Sequence, residues 1–163
     1  MSAATNAKSL YDEDLFLWAR EQAEALRSAA RAGSNLQLDW ENLAEEIESL
    51  GKSQRRELAS RLSTIIEHLY KLAHSPAADP RAGWRQTVRR ERREIGLLLA
   101  DSPSLRSQIP ELIMQATQGA VALAAADLVD RNEVGNGRRR ARPPVYTEEQ
   151  LLGEWFPRDP ARE

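Results

Sequence analysis

The sequence has no cysteine and only two histidines. A disulfide framework, a zinc ribbon, an iron–sulfur site and a cysteine nucleophile are therefore excluded. Two histidines cannot build a histidine-rich metal site within one chain. No apolar run reads as a membrane span of roughly 18–20 residues, and the mean hydropathy is −0.60. The first residues, Met1 to Lys8, are small and polar and lack the apolar stretch of a signal peptide. The expected location is the cytoplasm. Strand-forming residues are scarce, with 6 Ile and 5 Val against 24 Ala and 21 Leu, and Ala and Leu are strong helix formers. A Gly-rich phosphate loop, a Gly-x-Ser-x-Gly elbow and a His-Glu-x-x-His motif are also missing, which argues against a conventional nucleotide enzyme or serine hydrolase. There is no internal repeat.

What remains is 163 residues, 41% hydrophobic and 29% charged, the profile of one folded domain. Apolar residues recur at helical spacing from Asp12 to about Arg31, where Gly33 supplies a left-handed stop. Asp39 suits the N-cap of a second helix, Trp40 to Leu50, with Leu43, Ile47 and Leu50 as its stripe and Gly51 closing or kinking it. Ser53 opens a third, running to about His74, before the two prolines of 75–80. A fourth spans about Gly83 to Ala100. Ser102 and Pro103 start a short turn, and Glu111 to about Val129 forms a helix apolar on nearly every side from Ala116 to Leu128. Thr147-Glu148-Glu149-Gln150 is a capping box. The expected fold is all-α, a compact single-domain helical bundle of about five to seven helices. Residues 1–10 form a tail, 11–157 the helical domain and 158–163 a second tail. Within the domain, 132–145 reads as an Arg/Gly/Pro-rich linker and 146–157 as a segment that docks back.

Projecting the helices at about 100° per residue places several polar side chains among the apolar stripes. Gln22 falls between Trp18 and Leu26, and Glu91 between Val88 and Ile95 with Arg92 at its edge. Asp14, Glu46 and His68 lie at stripe margins. A buried carboxylate must be paired or hydrogen-bonded, or it takes up a proton, so Glu91 calls for His68 or a nearby Arg as partner. One reading is a polar network that fixes helix register. The other is a polar cavity lined by Asp14, Gln22, Glu46, His68, Glu91 and Arg92, with Glu91 and His68 as candidate acid–base catalysts. Asp14, Glu46, His68 and Glu91 would be its metal ligands, although the Glu-x-x-His pair of di-iron bundles is absent. No cofactor is assigned.

Charge is uneven. Residues 12–48 carry ten acidic and three basic side chains, whereas 81–106 carry seven Arg against three acids. A second basic patch, Arg138, Arg139, Arg140 and Arg142, follows. Arg-rich segments suit phosphate groups, but the pI near 5.8 and the lack of any helix-turn-helix or RNA-recognition pattern weigh against nucleic acid. Trp18, Trp40, Trp84 and Trp155 sit at stripe or element-end positions and are expected in the core.

Tyr11-Asp12-Glu13-Asp14-Leu15-Phe16-Leu17-Trp18, with Gln22 and Leu26-Arg27 after it, resembles the opening of the domain-of-unknown-function 29 family. The run Leu38 to Gly51 (Leu-Asp-Trp-Glu-Asn-Leu-Ala-Glu-Glu-Ile-Glu-Ser-Leu-Gly) resembles that family's most distinctive block. His68-Leu69-Tyr70-Lys71-Leu72 is similar to its His-Leu-x-Lys-Trp segment, with Leu72 in place of the usual Trp. Trp84, Arg92-Arg93-Glu94-Ile95, Ser102-Pro103-Ser104-Leu105 and Tyr146-Thr147 to Leu151-Leu152 continue the match, which covers about 10–157. The resemblance implies a bacterial, all-helical protein and carries over no activity, cofactor or catalytic residue. The functional expectation is a protein-binding or self-associating module that uses the apolar face of 111–129 and is more readily a non-enzyme. The alternatives are an enzyme or metal-binding protein at the polar cavity and nucleic-acid binding through Arg138–Arg142. No membrane partner is expected.

Overall fold

The computed structural model describes residues 10–33, 35–135, 137 and 142–162. The regular structure of these residues includes five α-helices, two 3₁₀ segments and a helical stretch over 10–13, and no strand occurs among them. The helices are α1 (Leu15–Arg31), α2 (Trp40–His74), α3 (Arg81–Asp101), α4 (Ile109–Asp130) and α5 (Glu148–Leu152). The 3₁₀ segments are Pro103–Gln108 and Pro160–Arg162. The chain divides into two compact units. One comprises residues up to Glu57 with Leu97–Gln108, and the other Leu58–Gly96 with Ile109 onward.

In the first unit α1 ends as its sequence demands. The Gly33 φ of +73° provides the left-handed turn, and its N–H donates to the Ala30 carbonyl at 3.1 Å. Asp39 then caps α2 by accepting from the Asn42 amide at 3.3 Å. The buried surface here is built from small residues. Ala19, Ala23 and Ala44 are inaccessible to solvent, or nearly so, and Gly51 is buried beside them, whereas Leu43 and Leu50 are 40% and 46% exposed. Leu43 and Leu50 of the expected stripe are thus rotated off the packing face, while Ile47 is half-buried. A Cβ on Gly51 would stand 3.3 Å from the Phe16 ring and 3.6 Å from the Ala19 Cβ. Gly51 therefore neither closes nor kinks α2. It admits α1 at close range inside one continuous 35-residue helix, at a propensity cost of about 1 kcal/mol.

The second unit holds the larger apolar core, with Leu58, Leu62, Ile65, Ile66, Leu69 and Leu72 of α2 fully buried. Val88 and Ile95 of α3 join it, as do eight side chains of α4 that include Ile109, Leu112, Ala124 and Leu128. Each large aliphatic side chain removed from water contributes about 1.5–3 kcal/mol. An 18-residue window within 103–130 reaches a mean hydropathy of 1.4, so α4 is long and apolar enough to cross a membrane by length and composition. That corrects the sequence-based expectation that no apolar run reaches this length. After α4 the chain turns at Asn132, whose φ of 58° is a left-handed conformation that Asn tolerates. Thr147 closes the capping box of α5, accepting from the Gln150 amide at 3.2 Å while its own N–H donates to Gln150 Oε1 at 3.0 Å.

Candidate functional site

Asp14, Gln22 and Glu46 belong to the first unit, and His68, Glu91 and Arg92 to the second. Asp14 is buried and serves two helix starts at once. Its Oδ1 accepts from the Leu17 amide at 2.9 Å, capping α1, and from Ser104 Oγ at 2.9 Å. Its Oδ2 accepts from the Ser104 amide at 2.7 Å, at the start of the 3₁₀ segment. Ser102 returns the contact, accepting from the Phe16 amide at 3.1 Å and donating to Gln54 Oε1 at 2.7 Å. The two starts thus cap each other, and otherwise orphaned amides are satisfied without water. Gln22 is half-buried and Glu46 is exposed on α2. Beside them Glu48, absent from the sequence-based set, accepts from Arg27 at 2.8 Å and Lys52 at 3.0 Å. The Arg27 and Lys52 hydrogen bonds hold its carboxyl below the usual range, against the opposing effect of burial.

Glu91 is buried as the stripe requires, and its partners are arginines rather than His68. Arg61 Nη1 of α2 lies 2.9 Å from Oε2, and Arg90 Nη2 lies 3.0 Å from Oε1. The His68 ring is half-buried and donates from Nδ1 to the Thr64 carbonyl one turn back at 2.8 Å. Arg92 is half-buried and caps the C-terminal end of α5. Its Nε donates to the Leu151 carbonyl at 2.8 Å, and its Nη2 to those of Gln150 (2.9 Å) and Trp155 (2.7 Å). Each of these polar residues that makes hydrogen bonds thus has a local structural duty. Among the described residues no three His, Asp or Glu side chains gather closely enough to hold a metal ion. Arg138, Arg139 and Arg140 lie outside the described residues, and Arg142 is exposed.

Two polar clusters escape the sequence reading. Lys71 Nζ is buried between Glu67 (2.7 Å) and Asp127 (2.9 Å), and Asp127 also meets Arg131 Nε at 2.9 Å. Burial pulls the Lys71 ammonium down, but the hydrogen bonds of Asp127 and Glu67 outweigh it and raise the pKa above that of an ordinary lysine. The Lys71 hydrogen bond in turn holds Asp127 below the usual range. Arg81, also buried, donates to the Leu72 carbonyl at 2.9 Å and the Ser75 carbonyl at 3.0 Å, closing the C-terminal end of α2. Ser75 Oγ donates to Glu133. The available signal for the first cluster is Asp127 itself, the first charged residue after Glu111 in an otherwise apolar helix. The four tryptophans are half-buried or exposed rather than core, with Trp155 at 39%, and Trp18 meets Tyr11 edge to face at 4.8 Å.

The second unit also carries a groove of about 630 Å³. One wall is α4, with Pro110, Ile113, Met114, Thr117 and Gln118, and the other is Pro143, Pro144, Val145, Tyr146 and Glu148. Burial, with the nearby Tyr70 phenol adding to it, pushes the Tyr146 hydroxyl pKa up. Met114 is 75% and Leu123 66% exposed, and no charged residue occurs from Leu112 to Ala126.

An all-helical chain with its buried charges paired in structural networks and an uncharged helix face left open is the class these features define. The chain belongs to the DUF29 family, domain of unknown function DUF29, which matches it over residues 10–156. It is also similar to the crystal structure of an α-helical protein of unknown function from Rhodospirillum rubrum. The two are 30% identical, with 88% of this chain and 89% of that one covered and a TM-score of 0.70. No protein with a curated description matches the chain.

Proposed function

We propose that the protein is an interaction module that acts through the open face of α4, and that the occupant of this face is a second copy of the chain. The observation that carries the reading is the side of α4 that holds Met114, Gln118, Gly119, Ala122 and Leu123. It is exposed, and the stretch around it is free of charge, in a chain of which 29% of residues are charged. A contact across a two-fold axis sets a patch against itself, so any net charge on the patch would meet its like. An uncharged face suffers no such penalty, and burying its apolar side chains on association is favourable. The groove beside it, walled by Pro143 to Tyr146, offers a recess for side chains of the other copy.

The test is a double substitution, Met114→Glu with Leu123→Glu, compared with the parent chain by light scattering after gel filtration at micromolar concentration. Both positions are exposed, so helicity by circular dichroism is expected to be unchanged. The parent is expected to run as a dimer and the double variant as a monomer. Equal masses for the two would overturn the reading.

A further inference from the structure

Helix α3 presents Arg85, Arg89 and Arg92 at successive turns, and all three guanidinium groups lie over one aromatic ring. Their carbons stand 4.9, 5.5 and 4.8 Å from the centroid of Phe156. The three are not equivalent. Arg92 is committed to three backbone carbonyls and thereby fixes the segment that carries Phe156. Arg85 and Arg89 contact the ring, and among the described residues no carboxylate pairs with either of them. Two cations one helical turn apart repel each other, and stacking on a ring does not neutralise them. Beside them lies a cavity of about 410 Å³, lined by Arg89, Arg92 and Arg93 with Glu154 and the apolar surfaces of Leu152 and Phe156. Arg93 is paired with Glu94 at 2.9 Å. With Arg93 paired to Glu94, Arg89 and Arg92 share the lining with the single carboxylate Glu154, so the cavity keeps a net positive charge. Burial and the neighbouring Arg89 both lower the Arg92 pKa, as expected of a pocket with positive potential.

We propose that this pocket binds a small phosphate monoester, with Arg89 as the anion-binding group, Arg85 beside the pocket adding to its positive potential, and Leu152 and Phe156 receiving the apolar part of the ligand. A phosphate monoester carries a charge of about −1.5 to −2 at neutral pH, opposite in sign to that excess. Guanidinium forks present paired donors to its oxygens. The cavity falls within the roughly 300–1,000 Å³ of small-molecule sites. Arg92 is a positioning residue, since its Nε and Nη2 donors hold the carbonyls of the segment that carries Phe156. The proposal is independent of self-association through α4.

The experiment titrates phenyl phosphate and, separately, inorganic phosphate into the full chain, read by phosphorus NMR and calorimetry. The same is done with Arg85→Gln, Arg89→Gln, the double variant and a control, Lys52→Gln, at an exposed lysine of the first unit. Saturable binding of phenyl phosphate is expected, tighter than that of inorganic phosphate because only the former fills the apolar side. The double variant should lose at least about tenfold in affinity, with its thermal midpoint kept, and Lys52→Gln should bind as the parent does. Affinity should fall as salt rises. Failure of the parent to saturate, or equal affinity in the parent and double variant, would overturn the proposal. Equal binding of the two anions would overturn the role given to Leu152 and Phe156.

Discussion

Lys71 and Asp127 show how a charge is carried into an apolar core. The ammonium is nearly inaccessible but has carboxylates at 2.7 and 2.9 Å, so its charge is answered. The depressed Asp127 carboxyl sets the sign of the pH dependence. Its stabilising contribution is complete above the unfolded-state value of about 3.9 and is lost as pH falls through the lower native value. Asp127→Asn is therefore expected to cost about 1 kcal/mol in urea unfolding at neutral pH, a figure discounted for the partial exposure of the carboxylate. The difference from the parent should shrink as pH falls below about 4. A difference that persists unchanged in acid would contradict the assignment. Glu91 is legible in the sequence because a carboxylate between Val88 and Ile95 must face the core, and a nearby Arg was one of its two expected partners. The choice of Arg61 over His68 was not legible, because it depends on which turns of α2 and α3 face each other. The double duty of Asp14 was hidden for a similar reason: Ser104 lies 90 residues further along the chain.

At the scale of elements, the caps were the most readable features. Gly33, Asp39 and the Thr147–Gln150 box each act through a local hydrogen bond or dihedral angle that neighbouring residues determine. Thr147→Ala is expected to cost about 1 kcal/mol, measured as earlier loss of protection of the α5 amides in hydrogen exchange. The orientation of the first part of α2 was misread because helical periodicity weights large apolar residues, whereas α1 approaches α2 through alanine and glycine. The consequence is testable in both directions. Leu43→Gln and Leu50→Gln should each change stability by less than about 0.5 kcal/mol, as exposed positions do. Gly51→Leu, which drives a side chain into Phe16 and Ala19, should cost about 2 kcal/mol. Thermal or urea unfolding of the three variants decides the matter, and the opposite order would restore the leucine stripe to the interior.

For the molecule as a whole, composition alone was enough to define the all-α class, because a chain with many Ala and Leu and few Ile and Val has little else to build. Its length of 163 residues did not reveal the division into two compact units, since α2 and α3 each contribute residues to both. The apolar character of α4 was evident, but periodicity could not say which of its sides stays open, because nearly every side is apolar. That open, uncharged face is what the proposed function rests on. Sedimentation equilibrium of the unmodified chain across the micromolar range tests it most directly. The account predicts a mass that rises with concentration from 18.3 kDa toward twice that value. A mass fixed at 18.3 kDa throughout would contradict it.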